Sequence, residues 1–255
     1  RTIGAFCGAL ALGVATLSAA FGGEANGAQP TLGARIEALP FVPAGEARPV
    51  DGFDAFGGDW KVVEREGGAF VFGRGDSGSR LTFAESAWAT AKRGEIELSV
   101  RFPAAKAGFS GLCFKISDSG VGADAFNGYE IGFDPSAGLV NLGEHRKNYN
   151  RLQLVETPIP VGKAFRLRVA FDETGFDVYL DGEKKGSFRA ENLPEKDALR
   201  AGTFAFRLWQ NDVEYGDLRV KLLENADEAF DADGKTVEWT PIPLTATPKP
   251  TGEYP

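Results

Sequence analysis

The stretch Glu95-Ile-Glu-Leu-Ser-Val-Arg-Phe102, EIELSVRF, decides the fold. Ile96, Leu98, Val100 and Phe102 alternate with Glu95, Glu97, Ser99 and Arg101. Side chains of an extended strand project to opposite faces in turn, so this octet reads as a strand with one buried and one polar face. A helix would need its apolar residues three and four apart. Working outward, Phe165-Arg-Leu-Arg-Val-Ala-Phe171, Phe176-Asp-Val-Tyr-Leu180 and Thr203-Phe-Ala-Phe-Arg-Leu-Trp209 repeat the pattern. Between such segments, Glu173-Thr-Gly175 and Asp181-Gly-Glu183 suit tight hairpins, because glycine enters positive φ without steric cost. Residues 51–223 hold about a dozen short strands of this kind with no convincing amphipathic helix among them. The expected fold is all-β, an antiparallel sandwich of two sheets.

Composition supports that reading and excludes several functions. A chain of 255 residues with 43% hydrophobic content can bury a full core. Twenty Phe and no Met point to stiff aromatic packing, which suits facing sheets better than an adaptable helical bundle. The net charge is -8 and no Lys or Arg run offers a positive field, so nucleic acid is not an expected partner. With His145 as the single histidine, a histidine metal cluster is ruled out, and no nucleophile motif supplies it with a triad serine. No glycine-rich phosphate loop opens a helix.

The ends read differently from the middle. Residues 1–28 begin with Arg1 and continue as a small-residue-rich apolar run, the grammar of a secretory signal peptide. The rival reading is an uncleaved anchor over residues 3–21. Cleavage would leave a mature chain without a membrane span, secreted or held in the periplasm or cell envelope. Cys113 would then be its only cysteine, and a single thiol forms no internal disulfide. Residues 29–50 form a Pro/Gly-rich lead-in with a short helix expected at 34–39. Residues 224–255 are a Pro-rich tail, or a linker to additional domains.

Several phrases, taken in order, carry a resemblance. They are Gly52-Phe-Asp-Ala-Phe-Gly-Gly-Asp-Trp-Lys-Val-Val63, Gly111-Leu-Cys-Phe-Lys-Ile116, Asn127-Gly-Tyr-Glu-Ile-Gly-Phe133, Phe176-Asp-Val-Tyr-Leu-Asp-Gly182, Gly202-Thr-Phe-Ala-Phe-Arg-Leu-Trp209 and Val213-Glu-Tyr-Gly-Asp-Leu-Arg-Val220. Their order resembles concanavalin A-like jelly-roll domains, in particular the laminin-G-like and 3-keto-disaccharide hydrolase groups of exported bacterial proteins. The resemblance covers roughly residues 51–221 and implies a jelly-roll sandwich. It also implies carbohydrate recognition, glycoside chemistry or a protein-interaction surface.

Saccharide binding needs flat aromatic surfaces flanked by planar hydrogen-bonding groups. The alternation that buries Phe204, Phe206 and Leu208 turns Arg207 and Trp209 the other way, beside Gln210. It likewise exposes Tyr179 opposite Phe176, Val178 and Leu180. The stretch Asn141-Leu-Gly-Glu-His-Arg-Lys-Asn-Tyr-Asn150 adds His145, Arg146, Asn148 and Tyr149 as donors and a stacking face. These residues form the expected ligand site if their strands share a sheet. The competing readings are a Trp209 covered by a Pro-rich terminal segment and a His145 that is an ordinary surface or packed residue. No cofactor is expected, with calcium at the 117–127 loop, through Asp118, Asp124 and Asn127, as the open exception; Asx-rich turns also arise for backbone reasons alone. A glycoside-acting enzyme would draw its acids from Glu95, Glu97, Glu130 and Glu144. The pair Glu95 and Glu97 lacks a third acid and reads as a solvated strand face beside Arg101.

Overall fold

The structure is a computed structural model, which describes residues 50–65, 68–75, 78–190, 199–223 and 238–247. The signal-peptide run, the lead-in with its 34–39 helix, and most of the tail lie outside the described residues. Fifteen strands, numbered in chain order, build two sheets among the described residues. Sheet A follows the order β1 (Phe53–Phe56), β4 (Ser79–Phe83), β13 (Thr203–Leu208), β6 (Ser110–Ser117), β7 (Asn127–Asp134), β8 (Leu139–Arg146), β9 (Tyr149–Glu156). Sheet B follows β12 (Glu183–Arg189), β11 (Gly175–Leu180), β10 (Phe165–Phe171), β5 (Gly94–Arg101), β14 (Val213–Leu222), β3 (Gly68–Arg74), β2 (Asp59–Arg65). Neighbouring strands pair antiparallel throughout. Among the described residues one 3-10 turn, Ser86–Thr90, interrupts the β structure, and no described helix is long and apolar enough to cross a membrane.

The deciding octet falls on β5, the central strand of sheet B. Ile96, Leu98, Val100 and Phe102 are fully buried against sheet A, as the alternation requires. The opposite face is a correction: Glu95 and Glu97 are not solvated but 1% and 8% exposed. Arg168 lies over Glu95 with Nη1 2.8 Å from Oε2, and Arg219 and Arg166 close on Glu97. Arg101 instead serves Glu214 of β14. Long arginine stems on the flanking strands cover a central strand that composition alone would leave wet.

Aromatic rings fill the space between the sheets. Phe83 stacks on Phe204 at 4.7 Å, Phe206 on Tyr215 at 4.4 Å, and Trp88 meets Phe204 edge-on at 5.4 Å. Full burial of each such side chain contributes on the order of 1.5–3 kcal/mol. Both expected hairpins form. Asp172 Oδ1 accepts from the Thr174 and Gly175 amides, and Asp181 and Gly182 take consecutive positive φ of 48° and 84°, the turn that matches strand twist.

Residues 238–247 return to the sandwich. The two-residue strand β15 (Thr240–Pro241) pairs with β14, the Ile242 amide donates to Leu218 O, and Leu244 joins the core. The Asp51 amide then donates to Thr245 O at 2.9 Å, so the chain enters and leaves the sandwich at one clasp.

Candidate functional site

The register of sheet A sets an unusual outer face. One row across the strands reads Phe56, Arg80, Arg207, Gly111, Gly132, Asn141, Leu154. The next reads Thr82, Ala205, Cys113, Glu130, Gly143, Arg151. A third pairs Gly128 with His145 and His145 with Tyr149. Glycine and small residues therefore lower the centre of this face, and charged residues stand around the depression. The glycines are sterically required: a Cβ on Gly143 would come 2.5 Å from the Tyr149 ring, and one on Gly132 would come 2.9 Å from Glu130 Oε1.

Charges on this face are buried, so each needs partners. Glu130, 2% exposed, receives His145 Nε2 at 2.7 Å on Oε2, and the same oxygen lies 2.8 Å from Arg207 Nε. His145, with no exposed surface, stacks on Phe126 at 4.2 Å and turns Nδ1 toward Asp124 Oδ1 at 3.0 Å. The His145 Nδ1 and Arg207 Nε contacts are close in distance but lie off the line of a hydrogen bond. Arg207 Nη1 donates to Ala123 O at 2.9 Å. Arg80, fully buried, donates to the carbonyls of Gly120 at 2.6 Å, Gly122 at 2.9 Å and Ala123 at 3.3 Å, and covers Phe126 at 4.2 Å. Burial pulls the Arg80 guanidinium down to about 10. Two arginines thus fold the 118–126 loop over one end of the face and bring Asp124 beside Glu130.

The loop expected for calcium is organised by these side chains. Its Gly120, Gly122 and Ala123 carbonyls are turned to Arg80 and Arg207, Asp124 to His145, and Asp118 to Lys147 Nζ at 2.7 Å. Oxygens that would have to ligate the ion are already engaged by Arg80, Arg207, His145 and Lys147. Among the described residues no group of three His, Cys, Asp or Glu is placed to hold a metal.

A cavity of about 280 Å³ opens in the depression, lined by Phe109, Asp124, Glu130, Asn141, Tyr149, Arg151, Arg207 and Trp209. Asn141 bridges its rim, donating to the Tyr149 hydroxyl and accepting from Arg151 Nε at 3.2 Å. Burial raises the Tyr149 hydroxyl above the usual tyrosine range, although the Asn141 bond opposes it, so the hydroxyl keeps its proton.

Of the residues expected from sequence, Tyr149, Arg207 and Trp209 line this cavity. Trp209 is half-buried rather than covered, and its ring lies 5.8 Å from the Arg207 guanidinium. Arg207 does face outward, but at 3% exposure, because the 118–126 loop roofs it. His145 stands behind the cavity wall and reaches it through Glu130 and Asp124. Arg146 is turned to Glu144, Asn148 sits in the exposed β8–β9 turn, and Gln210 is exposed beyond Trp209 at a φ of 62°. Tyr179 belongs to sheet B, under Arg168 at 4.0 Å, so it cannot join Trp209 on one platform. Among the acids considered, Glu130 alone lines the cavity; Glu95 and Glu97 are on the other sheet, and Glu144 bonds Asn150 and Arg146.

Sequence reasoning passed over Phe109, Asn141 and Arg151, and gave Asp124 a different role. A signal was present in β7 and β8. Gly128, Glu130 and Gly132 alternate with Tyr129, Ile131 and Phe133, and Asn141, Gly143 and His145 alternate with Val140, Leu142 and Glu144. Glycines recurring on one face of neighbouring strands mark a face that something must approach closely.

No family model and no curated protein matches the chain. Among solved structures, the carbohydrate-binding module CBM66 from Bacillus subtilis is similar at 19% identity and a TM-score of 0.53, covering 67% of this chain and 96% of that one. A protein of unknown function with a galectin-like fold, also from Bacillus subtilis, is similar at 12% identity and a TM-score of 0.53, covering 66% and 88%. The fold is a galectin-like jelly roll. The concanavalin A-like sandwich expected from sequence stands in that broad form.

Proposed function

We propose that this jelly roll is an exported carbohydrate-recognition domain and that the depression of sheet A is its saccharide site. One observation carries the reading: Trp209 and Phe109 line a cavity together with Glu130, Asp124, Arg207, Asn141 and Tyr149. Rings there can stack on the apolar face of a sugar, while acceptors and donors meet its hydroxyls. At about 280 Å³ the cavity lies just below the usual small-molecule range of roughly 300–1,000 Å³, a size suited to a single sugar residue. The likeness to a carbohydrate-binding module supports the reading, as does the signal-like N-terminal run.

The test is a glycan array probed with wild type and Trp209→Ala. Binding to a defined sugar class that falls at least tenfold in the variant supports the site. Equal signals would remove the platform, and no signal in either would favour a laminin-G-like interaction domain.

A second reading has one observation in its favour. Asp124 and Glu130 line the same cavity and share His145, so a glycoside-acting enzyme similar to 3-keto-disaccharide hydrolases would use this pair. Turnover of a bound glycoside that disappears in Glu130→Gln would establish it; binding without turnover leaves the recognition domain.

A further inference from the structure

Among the described residues most arginines of the outer faces meet a carboxylate, and Arg151, exposed at the cavity, does not. On sheet B, Arg65 and Arg101 meet Glu214, Arg168 meets Glu95, Arg189 meets Asp177, and Arg166 and Arg219 meet Glu97. On sheet A, Arg207 meets Glu130 and Arg80 is surrounded by carbonyls. Arg151 has no carboxylate partner among the described residues. Its Nε donates to Asn141 Oδ1 at 3.2 Å, and its guanidinium also reaches the Tyr149 hydroxyl. An amide and a phenol therefore hold this guanidinium on the cavity wall without neutralising it.

The cavity is consequently polarised. At one pole Glu130 meets Arg207 and His145 Nε2, and Asp124 lies 3.0 Å from His145 Nδ1. Gly143, which adds no side chain, separates Glu130 from Arg151 in the ladder row. The opposite pole is a guanidinium fork with unused donors, a geometry that pairs with a carboxylate through two parallel hydrogen bonds. Glu130 Oε1 makes no bond among the described residues and remains an acceptor for a hydroxyl.

We infer that the site takes an acidic saccharide residue, a sugar carrying a carboxylate, with Arg151 reading the carboxylate and Glu130 and Arg207 reading hydroxyls of the same ring. This rests on the saccharide reading of the cavity and narrows it. Arg151 is then the residue that sets specificity, whereas Trp209 provides stacking common to all sugars.

The experiment measures binding of the full chain to oligosaccharides ending in a hexuronate and to the same oligosaccharides with that carboxylate reduced to an alcohol. Wild type is expected to prefer the acid by about tenfold or more, since hydrogen bonds to charged groups are the stronger class. The preference should shrink as salt is raised. In Arg151→Gln the ratio of affinities falls to about one, and Arg151→Lys, which keeps the charge but not the fork, is intermediate. Equal wild-type affinity for acid and alcohol, or a preference that survives in Arg151→Gln, overturns the acidic-sugar inference and leaves carbohydrate recognition intact. If neither ligand nor any other glycan binds wild type, the saccharide reading itself falls and this inference falls with it.

Discussion

The two outer faces of the sandwich draw on the same residue types and hold hollows of nearly equal size. Sheet A opens a cavity of about 280 Å³; sheet B has one of about 290 Å³, lined by Arg168, Asp177, Tyr179 and Arg189 among others. Volume does not separate them. On sheet B each carboxylate meets its cations along the surface: Glu214 lies between Arg65 and Arg101, and Asp177 between Lys184 and Arg189. Burial pulls the Glu214 carboxyl up, but the Arg65 and Arg101 bonds prevail and hold it below the usual range. On sheet A Arg80 and Arg207 lie deeper and donate to backbone carbonyls, so acceptors and the Arg151 guanidinium remain directed at the cavity. The face proposed for binding is the one whose polar groups are held without being saturated.

That comparison can be broken at several points. The largest effect belongs to Arg80. Arg80→Met leaves the Gly120 carbonyl without its donor and strips one of the donors from Gly122 and Ala123, and stability should fall by about 3 kcal/mol, with saccharide binding lost. Chemical denaturation with a loss under about 1 kcal/mol would show that the loop does not depend on its buried arginine.

Lys115 is a further buried cation of sheet A. It sits at the β6 bulge with a φ of 52° and donates to Asp172 O across the end of the sandwich. Burial pulls its ammonium from 10.5 down to about 8. Between those values the unfolded chain binds more protons, so stability rises with pH through this window, by up to about 3 kcal/mol. Unfolding titrations across the window should show the rise in wild type and lose it in Lys115→Met; parallel curves would refute the assignment.

A smaller effect on stability, but a decisive one on the cavity, is expected from Gly143→Ala. Its methyl would meet Tyr149 at 2.5 Å, so the ring must move, costing about 1–3 kcal/mol, and glycan affinity should drop at least tenfold with the fold kept. Unchanged affinity would separate Tyr149 from the site. The smallest effect is on sheet B. Arg219 is 39% exposed, and Arg219→Gln should cost under about 1 kcal/mol and leave glycan binding as it was. A larger loss would mean that the surface ladder is structural rather than merely neutralising.

Much of the fold was legible because alternation has a local cause. The octet around Ile96 declared its strand, and Asp181-Gly182 its hairpin, without reference to anything distant. Which strands become neighbours has no such local cause. Tyr179 and Trp209 both alternate outward, yet they sit on opposite sheets, and no periodicity could separate them. Likewise Glu95 and Glu97 looked solvated because Arg168 and Arg219, which cover them, come from remote strands. His145 drew attention as the single histidine, whereas its role is fixed by Glu130, Asp124 and Phe126, which only the β7–β8 register and the 118–126 loop bring to it. Arg151 carried no signature at all; its distinction is the lack of a carboxylate partner among the described residues, which becomes visible only in three dimensions.

The clasp between Asp51 and Thr245 has a consequence for engineering. Because entry and exit of the sandwich meet at one hydrogen bond, a short linker there could join them while new ends are cut elsewhere, for instance at the Asp181-Gly182 turn of sheet B. Such a circular permutant would keep every strand pairing of sheet A, and the domain could be inserted into a surface loop of a host protein with the proposed site intact.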